Sequence, residues 1–187
     1  MGLFDNLKNK VNEAAKAVGN MATNKKVDVV FAKLPDTLED FKALPQAAMA
    51  TPFDTAALTV LALCFYPENR DLSLAMLNEL KGPQPLSPAE QQFIRDRFMD
   101  QDYVPRSYFK GATPQNDYVP AEPYTVSVSE NPYSYQNQGY AKLFLTSGGA
   151  DSPREVVLRQ AKDGKWYLWE QFLLPGIRKP ESSNPWA

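Results

Sequence analysis

"REVVLRQAKDGKWYLWEQ", residues 154–171, decides how the second half of this chain folds. Two β-rich runs flank Asp163-Gly164, and Asp-Gly between strand patterns predicts a two-residue type I′ turn that fixes the pairing register. In that register Ala161 faces Trp166, Gln160 faces Tyr167, Arg159 faces Leu168, Leu158 faces Trp169 and Val157 faces Glu170. One face then holds Val157, Ala161, Trp166 and Leu168; the other holds Val156, Leu158, Tyr167 and Trp169. Neither is a water face, so both need cover.

Working outward, the period of two persists upstream. "YTVSVS" alternates Tyr124, Val126 and Val128 with Thr125, Ser127 and Ser129, and "GYAKLFLTS" follows as another strand before the loop "GGADSP". A four-stranded antiparallel sheet is expected. Before it the punctuation is helical. "PDTLEDFKAL" starts at Asp36 with Glu39 three residues on, a capping-box spacing, and presents Leu38, Phe41 and Leu44. Thr51-Pro52-x-Asp54 opens a second helix whose stretch from Thr55 to Tyr66 is apolar all round, which marks it as the buried centre. "NRDLSLAMLNELKGP" is a third helix, stopped by Gly82 and Pro83. Ser87-Pro88-x-Glu90 opens a fourth, expected to bury Phe93, Ile94 and Phe98.

The first residues form a separate problem. Placed on a helix, Leu3, Phe4, Leu7, Val11, Ala14, Ala15, Val18 and Met21 fall within about a third of the circumference. Five lysines against Asp5 and Glu13 give residues 1–26 a charge of +3, in a chain whose net charge is -2. Lysines beside an apolar stripe suit docking on protein, and also weak contact of residues 1–22 with a membrane surface. Asn6 stands where a myristoylation signal has Ser or Thr. The expected organisation is an amphipathic helical appendage over 1–30, a single α+β domain over 31–180 and a tail over 181–187.

Between helices and strands lies "YVPRSYFKGATPQNDYVPAEPY", residues 103–124, which has neither period. A linker gains nothing from exposed aromatics, so this belt is expected either to strap the second face of the hairpin or to form a partner or ligand surface. The candidate surface residues are Tyr103, Arg106, Tyr108, Phe109, Tyr118, Tyr124, Trp166 and Trp169.

Composition removes several chemistries. With no histidine, Ser-His-Asp and Cys-His catalysis and imidazole-containing zinc sites are excluded. The single cysteine, Cys64, sits in the apolar helix as a small hydrophobe, and one cysteine cannot form an intramolecular disulfide. No metal or cofactor site is expected. A pI near 5.3 with scattered Lys and Arg argues against a nucleic-acid partner. The longest apolar run, residues 56–66, has eleven residues against the roughly 20 of a bilayer span, and no signal peptide is visible, so a cytoplasmic location is expected. Carboxylates are the enzymatic route left. Asp100-x-Asp102 with Arg106 reads more simply as a polar helix exit, and Glu170 as a cross-strand partner of Arg159.

The segments "ATPFDTAALTVLALCFYPENR", "LSPAEQQFIRDRFM", "YVPRSYFKGATPQNDYVPAEPYTV" and "GGADSPREVVLRQAKDGKWYLWEQFLLPGIRKP" are similar to an uncharacterised bacterial family, a domain of unknown function, over roughly residues 50–187. That resemblance implies a bacterial, cytoplasmic protein and no assigned activity. Helices followed by an antiparallel sheet ending in "DGKWYLWEQFLL" also resemble the cystatin-like and nuclear-transport-factor-like α+β folds, which enclose a cone-shaped pocket. The reading is a non-catalytic binding or assembly module, with a protein partner or self-association through its aromatic, proline-rich surface. Two alternatives stand beside it: a small-pocket enzyme using carboxylates, with Asp102 or Glu170, and tyrosines; or a peripheral membrane protein held by its N-terminal helix.

Overall fold

The computed structural model describes residues 24–186. The expected N-terminal amphipathic helix and its membrane contact lie outside them. Within them the chain is α+β, with a five-stranded antiparallel sheet in sequential order: β1 (Lys26–Phe31), β2 (Tyr124–Ser129), β3 (Tyr140–Leu145), β4 (Arg154–Gln160) and β5 (Trp166–Gln171). Four helices lie between the first two strands: α1 (Leu38–Lys42), α2 (Pro52–Cys64), α3 (Arg70–Lys81) and α4 (Pro88–Phe98). No helix among the described residues is long and apolar enough to cross a membrane.

The sheet has one strand more than the sequence reading allows. β1 pairs with the whole of β2, from Lys26 opposite Ser129 to Phe31 opposite Tyr124, so residues 26–30 belong to the sheet and not to an appendage. Val29 and Phe31 are buried in the core. Asp28 sits on the other face, accepts from Ser127 Oγ at 2.7 Å and pairs with Lys110, whose ammonium and hydrogen bond hold the Asp28 carboxyl below its usual range.

Helix starts follow their caps. Thr51, Asn69 and Ser87 each accept a backbone N–H of the first turn, and Ser87 with Glu90 completes a capping box. The first helix departs by one position: its box is Thr37 with Asp40, not Asp36 with Glu39. α2 is the buried centre, with Phe53 and every residue from Thr55 to Leu63 withdrawn from water. Thr55 and Thr59 are tolerated there because each hydroxyl donates, Thr55 to the Trp166 carbonyl at 2.6 Å and Thr59 to the Thr55 carbonyl at 2.8 Å.

The hairpin differs from its expected turn. Gly164 N–H donates to Ala161 O, and Ala161 N–H to Lys165 O, both at 3.0 Å, so the loop has three residues, with Gly164 left-handed at φ +83°. A type I′ turn needs positive φ at Asp163 too, and Asp163 does not have it. The longer loop shifts the pairing by one: Gln160 faces Trp166, Arg159 faces Tyr167 and Leu158 faces Leu168. A bulge at Trp169 then restores Val157 opposite Glu170.

That shift answers the two-face problem. Val156, Leu158 and Leu168 share the inner face and are buried, while Arg159, Tyr140 and Trp169 gather outside. There Arg159 stacks its guanidinium over the Trp169 and Tyr140 rings, at 4.8 and 5.3 Å, in place of the expected pair with Glu170. On the outer face these side chains shield one another in part, and Tyr140, Val157 and Trp169 stay half-buried.

The belt is buried elsewhere. β2 and β3 pair only at Val128 with Leu145 and Ser129 with Phe144, so the sheet opens into a gap on either side of this neck. Phe109 bridges Val126 across one gap, Lys110 N–H donates to Thr125 O at 2.9 Å, and Gly148 N–H to Ser107 O at 2.8 Å. A Cβ on Gly148 would overlap the Ala112 carbonyl, which is why the loop 146–150 can lie against the belt. Lys142 N–H crosses the other gap to Ser134 O at 2.8 Å.

Candidate functional site

Of the eight candidate surface residues, four are buried in the core and four, Arg106, Tyr124, Trp166 and Trp169, are half-buried. Tyr103, Tyr108, Phe109 and Tyr118 are each at most 5% exposed, so they have no face to offer a partner. Their polar ends are spent inside: Tyr108 OH donates to Leu173 O, and Tyr118 OH to Arg178 O at 2.6 Å. Burial pushes the Tyr118 phenol up to about 12 and Tyr108 higher still. Tyr103 stacks on Tyr118 at 5.4 Å, and half-buried Tyr124 meets Phe109 edge-on at 5.7 Å. Arg106, in the turn Pro105–Tyr108, comes near Cys64, whose thiol burial pushes up to about 12 against the pull of that guanidinium. Trp166 and Trp169 stand apart from this group, half-buried on β5.

The open concavity lies at the free edge of β5. That edge is closed near its start by Trp166 N–H donating to Met49 O at 2.9 Å and by the Thr55 hydroxyl on Trp166 O. Further along, Lys81 Nζ donates to the Trp169 carbonyl at 3.0 Å. Gly82, at φ +57°, ends α3 directly after Lys81, and a Cβ there would strike the Tyr167 ring. The chain turns through Pro83 and restarts at Ser87. Glu90 then serves both helices: Oε2 accepts from Ser87 N–H at 2.7 Å and Ser87 Oγ at 2.8 Å, and Oε1 accepts from Lys81 Nζ at 2.8 Å.

α4 is thus pinned at its start by Glu90. Near its end Phe98 stacks on Tyr66 with centroids 4.4 Å apart. Between these anchors Ile94 is its one fully buried residue. Phe93, expected in the core, is 37% exposed. A short helix held at both ends and packed through one side chain leaves space beneath it. That space is a cleft of about 450 Å³ between α3, α4 and β5, walled by Leu63, Leu77, Leu86, Ile94 and Leu168. Phe93 and Phe172, the latter 47% exposed, form its rim.

Electrostatically the cleft is quiet. Lys81 is only 7% exposed and Glu90 41%. Burial alone would raise the Glu90 carboxyl; Lys81 and the Ser87 donors outweigh it and hold the group below its usual range. Glu170 also lines the cleft, whereas Asp102 is exposed on the helix exit. Among the described residues no three His, Cys, Asp or Glu side chains gather as a metal site. Trp169 divides this cleft from a second hollow of about 410 Å³ on the outer sheet face, where Asn131, Asn137, Lys142 and Glu155 are found.

Sequence reasoning missed Lys81, Glu90, Phe93 and Phe172 as a group. The capping box was visible, but nothing in a pattern of residues says that its carboxylate also neutralises a lysine nine positions earlier.

Fold and site together define an α+β domain with helices against one face of an antiparallel meander and a ligand-sized apolar cleft at the sheet's edge. The chain belongs to the family described as a domain of unknown function, DUF6935, whose model matches residues 33–181. The match begins just after β1 and takes in every residue of the cleft. No curated protein and no solved structure matches the chain. The cone-shaped pocket implied by the cystatin-like resemblance is not where the cavity lies, because α2 fills the inner side of the sheet with apolar side chains.

Proposed function

We propose that this domain is a non-catalytic binding module whose working site is the cleft between α3, α4 and β5, and not the aromatic belt. One observation carries the reading: α4 is anchored at both ends yet stands off the core, leaving an apolar space with two exposed phenylalanines at its mouth. Ligand sites of this kind fall in the range of about 300–1,000 Å³ and combine apolar walls with a few placed polar groups. The Lys81–Glu90 pair supplies those groups here. A cytoplasmic location is part of the same proposal, supported by the lone Cys64, which has no partner with which to form a disulfide within the chain.

A fluorescence titration with the apolar dye Nile red tests it. Wild-type protein is expected to bind saturably, one dye per chain. Ala89→Trp, which places a large ring into the cleft from an exposed position, is expected to weaken binding about tenfold or more, in line with apolar contacts of roughly 1.5–3 kcal/mol per large side chain. Absence of saturable emission, or equal binding by the variant, overturns the proposal.

A further inference from the structure

Resting on that reading, we infer that the cleft takes a neutral, elongated apolar molecule with one acceptor oxygen (an alcohol, ketone or ester) held at Lys81. A lysine ammonium has three N–H donors. Two of those on Lys81 are used, one on Glu90 Oε1 at 2.8 Å and one on the Trp169 carbonyl at 3.0 Å. Among the described residues no third acceptor bonds Nζ, although the side chain is only 7% exposed. Of the other side chains lining the cleft, Leu77, Leu86 and Leu168 have no acceptor, and Gln171 Oε1 already accepts from Leu173 N–H at 2.9 Å. An unmet donor within an apolar wall is a defined point of attachment for an incoming oxygen.

Charge then selects the ligand. Glu90 already neutralises the ammonium, and its second oxygen is occupied by Ser87. The other acidic side chain lining the cleft is Glu170. A carboxylate ligand would enter beside the Glu90 and Glu170 side chains and find the one ammonium already paired with Glu90, in surroundings where bare charge is costly, and a cationic ligand would meet Lys81. A neutral acceptor meets neither opposition. Its chain would run from Lys81 past Leu77 and Leu168 towards Phe93 and Phe172.

Displacement of Nile red by three molecules of one shape reads this out: butylbenzene, phenylbutanol and phenylbutanoate, at neutral pH. A cleft that is merely apolar prefers butylbenzene, because a buried hydroxyl without a partner is penalised. The proposed site reverses that order, with phenylbutanol displacing the dye at a concentration at least tenfold below those needed for the other two. The paired variant Lys81→Met with Glu90→Gln removes both charges and keeps a capping-box side chain; it is expected to bind dye and to prefer butylbenzene. If the variant does not fold, the order of the three molecules on the wild-type protein decides alone. Butylbenzene or phenylbutanoate displacing as well as phenylbutanol overturns this inference while leaving the module reading in place. Failure of the dye and all three molecules to bind overturns both.

Discussion

The belt over residues 103–124 and helix α4 invert what each segment suggests on its own. The belt has no repeating pattern, yet it carries Tyr108 and Tyr118, each no more than 1% exposed and each donating its hydroxyl to a carbonyl of the segment after β5. α4 has a proline at its first position and a complete capping box, yet only Ile94 is fully buried. Regular local structure satisfies the backbone of a segment by itself. An irregular one must find partners for its amides and hydroxyls elsewhere in the fold, and so becomes tied into it. Here the irregular segment is the one tied into the core, and the well-formed helix is the one that stands off it above a cleft.

The comparison is broken most easily at the belt. Tyr108→Ala removes a ring 1% exposed and its hydroxyl bond to Leu173, so a loss of about 3–5 kcal/mol is expected, the range for large aromatic side chains cut to alanine in cores. A urea titration should show the midpoint falling sharply with an unchanged slope. A loss below about 1 kcal/mol would mean that the belt is a surface cover and not part of the core.

How far the sequence reveals this arrangement depends on which force decides each piece. α2 and α4 start at the expected residues because a cap is a local bond between a side chain and an amide three positions away. β2 to β5 are visible for a similar reason, since alternation follows from the pleat. β1 carries the same alternation in Val27, Val29 and Phe31, but over six residues beside a segment with helical spacing, and only pairing with β2 settles it. The turn at Asp163-Gly164 shows the limit of a dipeptide signal. The same two residues serve a two-residue loop or a three-residue loop with a left-handed glycine, and the bulge at Trp169 compensates for the choice. The site is less legible still. Burial of Lys81 depends on where β5 places the Trp169 carbonyl, 88 positions away.

A smaller effect sharpens the picture of α4. Glu90 joins its capping box to Lys81, and its carboxyl is held below the ordinary value of 4.5. A group whose folded value is lowered stabilises fully above its unfolded value and loses that contribution as pH falls through the folded one. Glu90→Gln is therefore expected to be less stable than the wild type at neutral pH, by about 1 kcal/mol given that the side chain is 41% exposed, and the gap should close as pH drops below 4.5. Denaturant midpoints at several pH values measure this. A gap that is constant with pH would mean that Lys81 and Ser87 do not favour the ionised form.

The smallest expected effect on stability is the most informative about α4. Phe93 is 37% exposed, its ring is accompanied by the Arg97 guanidinium at 5.1 Å, and it rims a space instead of filling one. Phe93→Ala leaves no cavity inside the core, so its cost should stay within about 0.5 kcal/mol, as for other surface changes. Dye affinity should nevertheless fall, because the ring forms one side of the mouth of the cleft. Stability unchanged with binding weakened is the signature of a side chain kept for what it touches outside the fold. Stability lowered as much as by Tyr108→Ala would place Phe93 in the core, and the contrast between belt and helix would disappear.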